Sequence, residues 1–311
     1  MATAIVDTAV GGNTPFRRRR ASRGSGGHRS RSAYLYLLPF VTLFAIFGVY
    51  PIVYTAVLSF QDNYPGVPVG FAGIANYQRA LADPTFWLSI GNVLLLMGVV
   101  LPLQLAFGFV IASIMNAKLG RRAGLLSGIY YLPVVANLIV VSLLFQLFFQ
   151  QNGMINYLLS LVGLDPVGWL TTQSWAPVTA IILLFWKGVG WYIVFMLAGL
   201  RGIDPAYYEA AKIDGANAFQ RAIYISIPQL RPITTFLLVL GVISGWQIFT
   251  EPMLLFGGGG PGNAVLTPAI YLYQQAFLNL DFGYGSAIAV ILALLTMGVS
   301  AIFLKLGRRE S

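Results

Sequence analysis

Charged and amide side chains are scarce in the apolar stretches of this chain, so each one found there is a candidate for chemistry. Lys187 stands in the middle of "APVTAIILLFWKGVGWYIVFMLAGL". A lysine centred in a bilayer costs about 2.5–3.5 kcal/mol on the insertion scale, while each Leu, Ile, Phe or Val returns about 0.3–0.6. The surrounding apolar residues therefore still allow the segment to insert. Lys187 is then expected to face a bundle interior, a water-filled path, an interface reached by snorkelling, or a partner carboxylate. Ser244, Trp246 and Gln247 fall within "GVISGWQIF", and Glu251 closes the same apolar run. Aromatic faces beside amides and hydroxyls suit sugar rings and their hydroxyl groups, although for Trp246 plain packing is the favoured reading. Asn92, Gln104, Asn137 and Gln146 are further polar candidates of the same kind.

Cysteine- and histidine-based chemistry in the core is excluded by counting. There is no cysteine, and the single histidine, His28, lies in a polar stretch. No thiolate nucleophile, His-cluster metal site or Ser/His/Asp triad can be assembled in the core. Lys118, Lys187, Lys212 and Lys305 are each preceded by a residue other than glycine, so the chain has no Walker A loop. Glu251 is the single carboxylate in or at the end of an apolar run. That scarcity weighs against a proton-coupled carrier, which places ionisable groups along its membrane path, and against a membrane hydrolase.

Such residues need elements to hold them, and the composition says which. The chain has 311 residues, 57% hydrophobic and 9% charged, with a net charge of +9. A soluble domain carries about 25% charged residues, so an all-α polytopic membrane protein is expected. A spanning helix needs about 20 apolar residues. Six segments qualify, near 33–60, 85–117, 125–149, 176–200, 232–255 and 283–305, in one membrane-spanning domain covering 33–305. Residues 1–32 read as a disordered basic tail and 306–311 as a short C-terminal tail. Apart from Lys187, the basic residues fall in the first tail, in 118–122, in 201–231 and at 305–309, with Arg79 alone elsewhere. Six spans put all these basic segments on one side, which predicts N-in/C-in topology. The same pattern accounts for most of the positive charge as an orientation signal, so no nucleic-acid partner is expected. Met154–Leu164 is too short to span and reads as an interfacial helix near Trp169 and Trp175. "FGGGGPGNA" (256–264) reads as a flexible or tightly turned connection.

One segment departs from this oily background. Residues 207–232 are "YYEAAKIDGANAFQRAIYISIPQLRP". Asp204 followed by Pro205 is a good helix start. "AYYEAAKI" favours helix, Gly215 offers a left-handed stop, and "NAFQRAIYI" starts a second helix that Pro228 limits. Ala210 and Ala211 leave a close approach open to a partner. An amphipathic loop lying on lipid is the plainer reading of the same residues.

The wording of the segment resembles the EAA loop of binding-protein-dependent ABC importer permeases: Glu209, Ala210, Ala211, then Gly215, then Ile225 and Pro228. "AGLRGIDPAYYEAAKIDGA" and "FGGGGPGNAVLTPAIYLYQQAF" resemble the carbohydrate-uptake branch in particular, of the maltose and glycerol-3-phosphate type. The resemblance implies a type I importer permease fold in which Glu209, Ala210, Ala211, Asp214, Gly215, Ile225 and Pro228 form the coupling loop. It also implies cytoplasmic ATPase subunits that bind ATP and Mg, a second homologous permease, and an extracytoplasmic solute-binding protein. No cofactor is expected on this chain, and the setting implied is the inner or plasma membrane of a prokaryote. The implied cargo is a sugar or oligosaccharide, with glycerol-3-phosphate or another polar solute as the alternative. A secondary transporter and a non-transporting membrane scaffold are the readings from other classes.

Overall fold

The computed structural model of the protein describes residues 31–63, 69–118 and 120–308. The basic stretch read as a tail lies outside them up to residue 30, as do 309–311. Contacts divide the chain into two units, Met1–Pro51 and Ile52–Ser311. Regular structure among the described residues is helical, apart from two short antiparallel strands, β1 (Gln61–Asp62) and β2 (Gly70–Phe71).

The first apolar segment forms α1 (Arg31–Phe44), a π-helical turn at Ala45–Val49, and α2 (Tyr50–Leu58). The wide turn has a cause in the sequence. Tyr50 N–H bonds back to the Ala45 carbonyl, and the next residue, Pro51, has no N–H to donate. The π-turn therefore sits where the regular bonding pattern of the helix is already interrupted by the proline.

Beyond the strands come α3 (Ala75–Ala82), α4 (Pro84–Lys118), α5 (Ala123–Val135), α6 (Leu138–Phe149) and α7 (Met154–Leu161). The chain continues through α8 (Ala176–Gly202), α9 (Pro205–Ile213), α10 (Ala218–Arg221), α11 (Ile227–Gln229), α12 (Arg231–Trp246), α13 (Thr250–Phe256), α14 (Pro268–Tyr273) and α15 (Phe282–Arg308). Among the described residues five helices are long and apolar enough to cross a membrane, or six if the bent pair Ala218–Gln229 and Arg231–Trp246 is one span. The segments expected at 125–149 and 232–255 as single spans are each interrupted. The last helix runs on to Arg308 instead of ending at 305.

Four apolar clusters lie in the second unit among the described residues, and two are the largest. Val93, Met97, Trp246, Ile270, Tyr284 and Ile288 pack α4, α12, α14 and α15. Met115, Ile193, Met196, Leu230 and Leu237 pack α4, α8 and α12. Small residues set the distances. A methyl group at Gly190 on α8 would lie 1.9 Å from the Tyr130 carbonyl oxygen of α5, and one at Gly245 on α12 would lie 2.5 Å from Met97 of α4. Gly241 and Gly245, four residues apart, thus give α12 the close packing that their spacing predicts.

At the end of the bundle where α4 and α15 begin, polar groups join four helices. Arg79 Nη1 meets Asp281 Oδ2 at 2.6 Å, and its guanidinium lies 4.0 Å above the Tyr284 ring. Asp83 Oδ2 accepts from Tyr284 Oη at 2.7 Å and also from Tyr271 Oη. Partial burial pushes the Asp83 carboxyl upward, but the two phenols and the N–H groups of Thr85 and Phe86 outweigh it, and its pKa falls below the ordinary value.

Two outcomes follow from this architecture. Because Asp83 has a depressed folded pKa, its stabilising contribution is present above the ordinary value of 3.8 and is lost as pH falls through the folded value. Asp83→Asn should therefore lower the thermal stability of the purified protein near neutrality, with the gap to wild type closing only in stronger acid. Gly190→Ala should destabilise by about 1–3 kcal/mol through overpacking, seen as a lower unfolding midpoint.

Candidate functional site

The interruption of the expected fifth span follows from Pro252. In a continuous helix residue 252 would donate to the Ile248 carbonyl, but proline cannot. The helix therefore ends at Trp246 and restarts at Thr250. The freed Ile248 carbonyl accepts a 2.6 Å hydrogen bond from Thr267 Oγ1, a side chain with no exposure. In an apolar medium such a substitute is required, since an unmet carbonyl costs several kcal/mol.

The expected third span breaks in a comparable way. Pro133 weakens the end of α5, and Ala136 and Asn137 adopt extended backbone. Asn137 Oδ1 then caps α6, accepting from Ile139 N at 2.9 Å and Val140 N at 3.4 Å. Gln146 Nε2 donates to the carbonyls of Leu254 (2.9 Å) and Leu255 (3.0 Å) at the end of α13, which ties the two broken spans together.

A cavity of about 500 Å³ lies where these breaks meet α4 and α8. That size is ordinary for a small-molecule pocket, roughly 300–1,000 Å³. Val134 and Leu138 line it from either side of the first break, and Gln247, Ile248 and Thr250 line it from the second. Most of the remaining wall is apolar. Its charged groups are Lys187 and Glu251, whose Nζ and Oε1 lie 2.9 Å apart with side-chain exposures of 25% and 16%.

Four of the five path candidates read from the sequence thus line one cavity: Lys187, Ser244, Gln247 and Glu251. The fifth does not. Trp246 is buried, turned away from this cavity toward a second one of about 600 Å³, beside Phe249 and Tyr273. Its Nε1 has no hydrogen-bond partner among the described residues. The reason is helical geometry, since adjacent residues lie about 100° apart and Ser244 and Trp246 cannot share a face. Of the further polar candidates, Gln104 lines the first cavity and donates to the Leu184 carbonyl at 2.9 Å. Asn137 and Gln146 serve the breaks. Asn92 holds the glycine-rich turn, donating to the carbonyls of Asn263 (2.8 Å) and Leu266 (3.0 Å). That turn is tight and partly buried. Gly257, Gly258, Gly260 and Gly262 all have positive φ. Thr250 and Tyr192, which also line the cavity, were not legible as site residues, because neither stands out from an apolar run by charge.

The charged segment lies apart from the cavity. Asp204 Oδ1 caps α9 by accepting from Ala206 N at 2.9 Å, and Gly215 turns the chain at φ +79°. Asn217 and Gln220 form a reciprocal capping box for α10. A second π-turn, Ala222–Ser226, precedes Pro228 as the first precedes Pro51, so the helix passes Pro228 and ends at Gln229. Tyr208 Oη and Ser226 Oγ, 2.9 Å apart, tie the two arms. Glu209, Ala210, Asp214 and Gly215 are exposed, while Ala211 and Ile225 are half-buried. Ile213 and Phe219 are 87% and 73% exposed, an apolar surface that the motif wording did not reveal.

Residues 104–310 match the family described as binding-protein-dependent transport system inner membrane component. The arabinooligosaccharides transport system permease protein AraP of Bacillus subtilis is 33% identical over 89% of this chain and 89% of its own length. The lactose transport system permease protein LacF of Rhizobium radiobacter is 33% identical over 86% of this chain and 91% of its own. The trehalose/maltose transport system permease protein MalF of Thermococcus litoralis is 33% identical over 90% and 94%. In fold the chain is similar to a chain of a bacterial ABC transporter involved in alginate import, with a TM-score of 0.80, 24% identity, and coverage of 90% of this chain and 96% of that one.

The break in the fifth span supplies its own test. Thr267→Val leaves the Ile248 carbonyl without a partner and should cost about 1–3 kcal/mol. Thr267→Ser keeps the hydroxyl and should retain most of the stability, both read from thermal unfolding of the purified protein.

Proposed function

The chain belongs to the family of binding-protein-dependent transport system inner membrane components, and from that premise we propose that it is a permease subunit of an ATP-driven importer for a sugar or oligosaccharide. The observation that carries the proposal is the exposed, doubly capped helix–turn–helix at 205–229, held in the same chain as a polar-studded cavity between broken spans. In this reading α9, with Glu209, Ala210 and Ala211, seats in a cleft of a cytoplasmic ATPase. Asp214 and Gly215 make its turn, and Ile225 and Pro228 belong to the returning arm. ATP and Mg bind the ATPase, and this chain carries no cofactor and no catalysis of its own. The apolar surface of Ile213 and Phe219 fits docking to protein better than open water.

A second, homologous permease completes the path, and an extracytoplasmic binding protein delivers the solute. Solved relatives in fold include an alginate ABC transporter in complex with a periplasmic protein, which supports that arrangement. The distribution of Lys and Arg supports six spans with both termini inside, in the inner membrane of a prokaryote. The basic stretch 1–32 and the residues from 306 are then cytoplasmic. Relatives named for arabinooligosaccharides, lactose and trehalose/maltose support a sugar cargo over a polyol phosphate. Lys187, Ser244, Gln247 and Glu251 are the side chains proposed to meet it. Trp246, behind them, shapes the wall.

Reconstitution in vesicles with the second permease, the ATPase and the binding protein tests the reading: uptake that persists without ATP would refute it. Within it, Ala210→Arg and Gly215→Asp should leave insertion and ATP hydrolysis intact while uptake falls to the level of vesicles lacking ATPase. Gly215 has open space around it, so its variant acts through the left-handed backbone and the added charge and not through a clash.

A further inference from the structure

Lys187 and Glu251 bear the full charges on the cavity lining among the described residues, and they face each other. They come from different helices, α8 and α13, and meet at the break that Pro252 imposes. Their contact uses one of the three ammonium donors and one of the two carboxylate oxygens. Both side chains remain partly exposed, so donors and acceptors are left for an occupant. Beside them, the side chains of Ser244 and Gln247 are exposed and make no hydrogen bonds among the described residues. The mostly apolar cavity therefore holds a small cluster of unused hydrogen-bonding groups and is electrically balanced.

Resting on the importer reading above, we propose that the Lys187–Glu251 pair is a charge filter that admits uncharged, hydroxyl-rich glycans and disfavours charged ones. A sugar hydroxyl can donate to Glu251 while its neighbour accepts from Lys187, so a neutral ring bridges the pair without displacing either charge. An anionic sugar meets a lysine already neutralised by Glu251. It must give up its hydration with no net positive charge to offset the loss, and it approaches a second carboxylate in an apolar wall. A cationic sugar meets the mirror-image difficulty at Lys187.

Equilibrium binding tests this on the permease assembled with its second permease and ATPase in nanodiscs, without binding protein. The probes are radiolabelled lactose, which is neutral, a diuronate, and a disaccharide of two amino sugars. Wild type should favour lactose over both charged probes. Glu251→Gln leaves Lys187 unpaired and should move the lactose-to-diuronate ratio toward the diuronate by about tenfold. Lys187→Gln should move selection the opposite way, toward the amino-sugar probe, and it serves as the second test if Glu251→Gln fails to assemble. A purely structural pair predicts that both variants weaken all probes in proportion, and unmoved ratios would overturn the charge filter while leaving the importer reading in place. Absence of binding by any probe to wild type would overturn this cavity as the solute site, and the filter with it.

Discussion

Backbone N–H and C=O groups have no water to turn to in an apolar medium, and the structure depends on how that demand is met where helices are broken. Thr267 supplies the hydrogen that Pro252 cannot, and Asn137 caps the restart of α6. Gln146 serves the last carbonyls of α13. Each is a side chain meeting a backbone demand: Asn137 does so locally, while Thr267 and Gln146 join separate segments of the chain. Without such substitutes the breaks would be untenable. With them, two discontinuities sit side by side and leave room for a cavity between α4, α8 and α12.

The cavity inherits its chemistry from the same arrangement. A continuous fifth span would carry residue 251 further along one helical face, whereas the restart at Thr250 brings Glu251 within 2.9 Å of Lys187. Glycines then decide how closely the walls approach. A methyl group at Gly188 would lie 2.3 Å from Gln104 Nε2, so the amide can lie against α8 only because residue 188 has no side chain. Polar groups that look isolated along the chain are in fact held by neighbours many residues away.

What could be read from the sequence was what depends on neighbours along the chain. Asp204, Pro205, Gly215 and Asn217 act through local caps and turns, and the helix–turn–helix stands where those residues place it. Hydropathy located the apolar segments for the same reason. It could not show the breaks, because averaging over 20 residues does not register a change of backbone direction at Asn137 or Gln247. Helical period puts Trp246 and Ser244 on different faces, but which of the two meets the cavity depends on the packing of α12 against α4, α14 and α15, which no local pattern shows. The partner of Lys187 lies 64 residues away, a distance that no local pattern spans.

The junction at Leu230 has a mechanical meaning. Helices 218–229 and 231–246 meet there at 66°, yet hydrogen bonds continue through the corner, from Leu230 N to Ser226 O at 3.0 Å and from Thr234 N to Leu230 O at 2.8 Å. Leu230 itself is 2% exposed, wedged in the core. The corner is thus a hydrogen-bonded elbow with Leu230 anchored in the core at its apex. From it α12 runs about 24 Å by helical rise, and Ser244 stands near the far end. The exposed arm and one wall of the cavity therefore belong to a single bonded stretch of chain, separated by one helix.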